Sequence, residues 1–98
     1  MAELNVRYYI DSENRCPHIY GHRVTEEEVE DVLLFPGEDR AGREGSRVVL
    51  GKTRDGRYLK VIYVPDQQPN SVFIITAFEL TGKPLSAYKR RLKSRGKK

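Results

Sequence analysis

Asp55-Gly56 does most to limit what this chain can fold into. It lies in Arg54-Asp55-Gly56, between RVVLGKT over 47–53 and RYLKVIYV over 57–64. Asp-Gly accepts the backbone of a tight turn, and the Val, Ile, Leu and Tyr on either side suit a pleated surface. The two runs are therefore expected to form a hairpin. A polar turn, PDQQPN, leads to VFIITAFE over 72–79. Short turns between successive strands make an antiparallel meander, and the third run, the most apolar, is expected at its centre. Residues 4–10 (LNVRYYI) alternate Leu4, Val6, Tyr8 and Ile10 against Asn5, Arg7 and Tyr9. That period of two suggests another short strand, an edge or an arm.

Two helices complete the reading. Thr25 is an N-cap, with Glu28 three residues on closing a capping box and Val24 and Val29 positioned as a hydrophobic staple. Val29, Val32 and Leu33 share one face, and Pro36-Gly37 ends the helix. GEDRAGREGS over 37–46 reads as a mobile loop. Pro84 suits a first helical turn. Leu85, Tyr88 and Leu92 then recur at helical spacing and can cover the sheet. The fold class is α+β. An antiparallel sheet of three to four strands is packed with an N-terminal-side helix and a basic C-terminal helix. One domain is expected over 1–94, with a basic disordered tail over 95–98.

The charge is segregated along the chain. After Gly82 come eight basic residues and no acid, leaving ten basic against fourteen acidic residues before it. A basic end favours polyanions, and it also serves simply to solubilise. Cys16 is the only cysteine, so no internal disulfide or Cys-based zinc site is available. The first ten residues have no long apolar run, and no segment approaches the ~20 apolar residues of a membrane span. A cytoplasmic location is expected, with no membrane partner.

The motifs of nucleotide binding, zinc hydrolysis and serine hydrolysis are absent. His18 and His22 have i, i+4 spacing, but no third metal ligand is signalled, so no metal is expected. They read as ordinary, partly exposed histidines, with His22 shaping the approach to the helix. A Cys16–His dyad is possible only on paper. What remains is Arg and Lys interspersed with Tyr: Arg47, Lys52, Arg57, Tyr58, Lys60 and Tyr63 on strands, and Tyr88, Lys89, Arg90 and Arg91 on the last helix. Preorganised cations can neutralise a phosphorane, and Tyr, His or Glu can move protons. Aromatic rings can stack on single-stranded bases. A solvated sheet face has the same composition.

Several segments, taken in order, resemble the BrnT family of toxins from bacterial toxin–antitoxin pairs, within the wider RelE-like group of ribonucleases. They are His22-Arg23-Val24-Thr25 followed by EEEVEDVL, then RVVLGKT, RDG and RYLKVIYV, then IITAFELTGKPLSAYKRR. The likeness runs from His18 to about Arg91. It implies a sheet backed by helices, endoribonuclease activity without metal or cofactor, and a cognate antitoxin protein that caps the toxin. It also implies DNA binding by the complex. Carried to this chain, it implies Arg57 (at the family's Gly-Arg position), Arg47, Glu79 and Tyr88 as catalytic residues. Arg91 would be a further phosphate charge, joined by Lys60, Lys89, Arg90 and Lys93 on nucleic acid. Tyr88 would give a proton or stack on a base, and Glu79 would orient an Arg or act as a base. The simpler roles are core packing for Tyr88 and an exposed strand-end carboxylate for Glu79. The chain departs from the family at Phe78-Glu79, where many members have Arg after Ile-Ser-Ala, and at Arg23, where Gly is usual. These departures keep a second reading open: a non-catalytic module of the same fold that binds nucleic acid or a partner protein through its basic face.

Overall fold

The computed structural model describes residues 5–67 and 70–96. Leu4, Lys97 and Lys98, which the sequence assigns to the first strand and the tail, lie outside them. The elements in order are β1 (Asn5–Tyr8), a 3-10 turn (His18–His22), α1 (Glu26–Leu34), β2 (Pro36–Ala41), a second 3-10 turn (Arg43–Gly45), β3 (Arg47–Lys52), β4 (Tyr58–Pro65), β5 (Ser71–Glu79) and α2 (Gly82–Gly96).

The strongest local signals form as expected. Thr53 N–H donates to the Arg57 carbonyl and Gly56 N–H to the Thr53 carbonyl, and Gly56 takes φ +88°. This is a three-residue hairpin loop, a turn followed by a left-handed glycine. At α1, Thr25 Oγ1 accepts from Glu28 N–H at 3.2 Å, and Glu28 Oε1 accepts from Thr25 N–H at 3.0 Å. Such a cap contributes about 1 kcal/mol. Val24 and Val29 are both fully buried, as a staple requires. The helix stops at Leu34 because Phe35, disfavoured in α conformation before Pro36, leaves the helical region.

The sheet differs from the expectation in size and pairing. It has five strands in the order β1-β5-β4-β3-β2 and is mixed, because β1 runs parallel to β5. The meander β2–β5 is antiparallel. β4, not the more apolar β5, is central. Residues 36–41, expected mostly as loop, form β2. As an edge strand it needs no apolar face, and its charges blunt an exposed edge. α2 continues to Gly96, past the expected end of the domain at 94.

Alternation along the strands separates two sides. On one, Val49, Leu59, Val61, Ile74 and Ala77 meet Ile19, Val24, Val29 and Val32 from the first 3-10 turn and α1. On the other, Leu50, Leu80 and Tyr88 are buried, with Val48, Tyr58, Leu85 and Leu92 partly covered beneath α2. α1 covers its side closely: Gly51 lies under it, and a Cβ there would come within 3.0 Å of the Val32 side chain. Among the described residues no helix is long and apolar enough to cross a membrane.

Candidate functional site

The expected catalytic set does not come together. Arg57 lies on the α1 side, half-buried. Its Nη1 donates to the Arg23 carbonyl at 2.7 Å and to both Glu28 oxygens at 3.0 and 3.1 Å, while Nε sits 3.4 Å from Glu79. Burial opposes its charge, but the Glu28 and Glu79 carboxylates outweigh that and raise its pKa. Glu79 thus holds Arg57 as the sequence suggested, at an exposed strand end. Arg47 is at the far end of the same side, opposite Tyr63 in the register and ion-paired with Asp39 at 2.8 Å. Six strand residues separate the two arginines, roughly 20 Å. Tyr88 is 1% exposed, with its hydroxyl 3.4 Å from the Leu50 carbonyl. It is a core residue, as its spacing with Leu85 and Leu92 allowed, and no substrate reaches it in this arrangement. Arg91 is on the opposite side, its guanidinium engaging Glu38 through two hydrogen bonds that raise its pKa.

A different group does converge on the α2 side. Lys52 pairs with Tyr58 and Lys60 with Phe78 across adjacent strands, and Tyr58 and Lys60 alternate onto one side of β4. Lys52 Nζ lies 5.6 Å from the Tyr58 ring centroid, and Lys89 Nζ, from α2, lies 5.1 Å from it. Lys60 Nζ lies 5.8 Å from the Phe78 centroid. These separations suit cation–π attraction, about 0.5–1 kcal/mol at an exposed site. Tyr58 is backed by the edge of Tyr88, ring centroids 6.0 Å apart, so its position is fixed from behind.

Among the described residues, none of these three lysines has a carboxylate in ion-pair range, whereas Arg7, Arg40, Arg47, Arg54, Arg57 and Arg91 all do. Lys60, half-buried, and Lys89, exposed, share the α2 side without a carboxylate partner among the described residues. Arg90 and Lys93 are exposed on α2 and likewise unpaired among the described residues. Lys52 and Tyr58 stood among the strand cations and tyrosines that the sequence offered, without an assigned role, and Phe78 only as a departure from the resembling family. Period two would have found Tyr58 and Lys60 together, and the pairing of Lys52 and Phe78 then follows from the hairpin register.

Next to Phe78, at the edge that β5 leaves open beyond β1, is a run of rings. His22 lies 5.9 Å from Phe78, His18 5.2 Å from His22, and Tyr9 5.8 Å from His18. His18 Nδ1 is 2.9 Å from Asp11 Oδ1. Among the described residues no group of His, Cys, Asp and Glu is arranged to hold a metal.

Residues 21–79, more than half the chain, match a family model described as "Domain of unknown function (DUF4258)". The match takes in α1 and β2–β5, with His22, Lys52, Tyr58, Lys60 and Phe78, and leaves out α2, Asp11 and His18. No curated protein and no solved structure matches the chain.

Proposed function

The chain belongs to the DUF4258 family, whose function is unknown, so its role must be read from its surface, and we propose that the α2 side binds single-stranded RNA. The observation that supports this most is the set Lys52, Lys89 and Lys60, held over the Tyr58 and Phe78 rings and free of carboxylates. Lysines free of carboxylates can swing off the rings to meet phosphates, uncovering faces that stack on unpaired bases of any sequence. Duplex bases are already stacked on each other and cannot use the rings. The resemblance to RNA-cleaving toxins selects RNA among single strands. If it extends to partners, a cognate antitoxin would silence the protein by covering this side.

The arginine-centred nuclease implied by Arg47, Arg57, Glu79 and Tyr88 draws no support from their positions. Two of the four are engaged with each other, one is in the core, and one lies roughly 20 Å along the strands.

The test is fluorescence anisotropy with a labelled, unstructured RNA oligonucleotide across a salt series. Replacing Lys52, Lys60 and Lys89 together by Gln is expected to flatten the log–log salt dependence by about 2, at roughly 0.7 per lost phosphate contact on a single strand. Phe78→Ala is expected to weaken binding by about 1–3 kcal/mol, the worth of one stacked base. Salt-insensitive binding by the native protein, or an unchanged slope in the triple variant, would overturn the proposal.

A further inference from the structure

We propose that His18 and His22 form an acid–base pair that cleaves RNA held on the α2 side. Asp11 is the positioning residue for His18, and Lys60, which shares the Phe78 ring with His22, is the cation assigned to the reacting phosphate. This deepens the RNA-binding reading and rests on it.

Three features of the fold bring the pair together. The 3-10 turn holds both residues, and their rings meet at 5.2 Å with an interplanar angle of 75°. The turn lies against β5, so His22 also touches Phe78, the ring that carries Lys60. A strand stacked on Phe78 therefore runs its neighbouring phosphodiester past two imidazoles and an ammonium group. Finally, both histidines are open to solvent, His18 partly and His22 more fully, unlike Tyr88.

The Asp11 contact distinguishes this pair from two chance surface histidines. A carboxylate 2.9 Å from Nδ1 fixes a proton on that nitrogen and leaves Nε2 to accept or donate another. An imidazole oriented by a carboxylate is the arrangement found where histidine acts as a general base. Asp11 comes from the loop after β1, and the main chain closes that loop through hydrogen bonds from Asp11 N–H to the Cys16 carbonyl and from Arg15 N–H to the Asp11 carbonyl. The carboxylate is thus held on a defined backbone.

The reaction needs no co-reactant. His18 Nε2 accepts the proton of the ribose 2′-hydroxyl as that oxygen attacks phosphorus. The O2′–P bond forms and the P–O5′ bond breaks. His22, protonated, gives its proton to the departing 5′ oxygen. The products are a 2′,3′-cyclic phosphate and a free 5′-hydroxyl. One proton is taken and one given, and water exchange restores both rings. Lys60 offsets the charge that builds on the phosphorane.

The experiment uses the full chain in EDTA with a single-stranded RNA carrying a fluorophore and quencher, and mass spectrometry of the products. Binding is followed in parallel on a 2′-O-methyl version of the same strand. The native protein is expected to bind both strands and cut only the RNA, leaving cyclic phosphate ends. His18→Gln and His22→Gln are each expected to slow cleavage about 100-fold or more, the scale of general acid–base catalysis, with the 2′-O-methyl strand still bound and the thermal midpoint unchanged. Asp11→Asn should lower kcat and leave KM alone, and Asp11→Glu should restore part of the rate. A native protein that binds RNA and leaves it intact would overturn the inference while sparing the binding reading. Cleavage of the 2′-O-methyl strand, or His variants that cut at the native rate, would overturn it too. Absence of binding would remove both.

Discussion

Two cationic clusters, the arginines on the α1 side of the sheet and the lysines on its α2 side, use positive charge in opposite ways. On the α1 side Arg57 is enclosed by Glu28, Glu79 and the Arg23 carbonyl, and Arg47 is held by Asp39. On the α2 side Lys52, Lys60 and Lys89 rest on rings and meet no carboxylate among the described residues. Side-chain chemistry explains the division. A guanidinium is a planar fork that satisfies a carboxylate through two hydrogen bonds at once, so it is suited to building structure. An ammonium group is a compact charge on a flexible stem and binds a passing phosphate without needing one fixed geometry. The lesson is that the residues most suggestive of phosphate chemistry in the sequence, the strand arginines, belong to the framework. The less conspicuous lysines are the ones left open.

The burial of the two sides differs as well, and this gives the largest expected effect. Among the described residues, the core cluster on the α1 side has nine buried hydrophobic residues, and the one on the α2 side has three. α2 is anchored where Tyr88 lies over Gly37, at the bulge between Pro36 and Glu38 in β2. A Cβ on Gly37 would overlap the Tyr88 hydroxyl and approach the Leu50 carbonyl to 3.2 Å. Gly37→Ala should therefore lever α2 off the sheet at a cost of about 3 kcal/mol, the upper range for overpacking. Hydrogen exchange should show early exchange in α2 with α1 still protected. Equal loss of protection in both helices would mean that the two sides do not fold with separate stabilities.

Arg57→Ala comes next. It removes the hydrogen bonds to the Arg23 carbonyl and to Glu28, which keeps only its Thr25 cap, and should cost about 2 kcal/mol, the scale of hydrogen bonds to a charged group. Arg57→Lys should recover only part, since an ammonium group cannot replace the fork. Lys60→Ala, on the other side, loses a cation–π contact and no ion pair, and should change stability by less than about 1 kcal/mol, while weakening RNA binding. Denaturant unfolding and anisotropy on the same three variants separate framework from contact. Should Arg57→Ala leave stability intact and abolish binding, the assignment of the two sides would be reversed.

The local signals were legible from the residues: Asp55-Gly56 for the hairpin, Thr25 with Glu28 for the start of α1, and Leu85, Tyr88 and Leu92 for the buried stripe of α2. Each is decided within a few positions. β2 was not legible, because Glu38, Asp39 and Arg40 resemble a loop until an edge position makes charge acceptable in a strand. The parallel pairing of β1 was hidden for another reason: Val6 meets Val72, and nothing near Val6 names that partner. The site follows the same division. That Tyr58 and Lys60 share a side can be counted from the alternation. That Glu28 serves both its own helix cap and an arginine twenty-nine positions on cannot. Nor could the spacing of His18 and His22 reveal that the loop after β1 brings Asp11 to one and the end of β5 brings Phe78 to the other.

A smaller effect sharpens the account of the α1 side. Arg23 adopts φ +58° and ψ +39°, a left-handed backbone that glycine adopts freely. Its carbonyl supports Arg57, and its side chain is exposed. Arg23→Gly should raise stability by about 0.5 kcal/mol, relief of the left-handed cost being partly offset by the extra freedom of the unfolded chain. A stability loss in the same denaturant unfolding would mean that the Arg23 side chain itself holds the framework together.

The smallest effect asks whether the division between arginine and lysine extends to the rim of the sheet. Asp66, in the turn after β4, accepts from Gln67 N–H at 3.0 Å, from the Ser71 hydroxyl at 3.1 Å and from Arg7 at 2.7 Å. Those hydrogen bonds, led by the backbone one, hold its carboxyl below the usual carboxylate range. The folded form therefore binds a proton more weakly than the unfolded chain does. The stabilisation is present above the unfolded value of about 3.9 and is lost as pH falls through the depressed folded value. Thermal midpoints of the native protein and Asp66→Asn should differ most near neutral pH and converge as pH falls below the unfolded value and through the depressed folded one. Added salt should narrow the gap only in part, because it screens the exposed Arg7 contact more than the backbone hydrogen bond. A gap that salt closes completely would assign the whole effect to Arg7, making this rim arginine as much a part of the framework as Arg57.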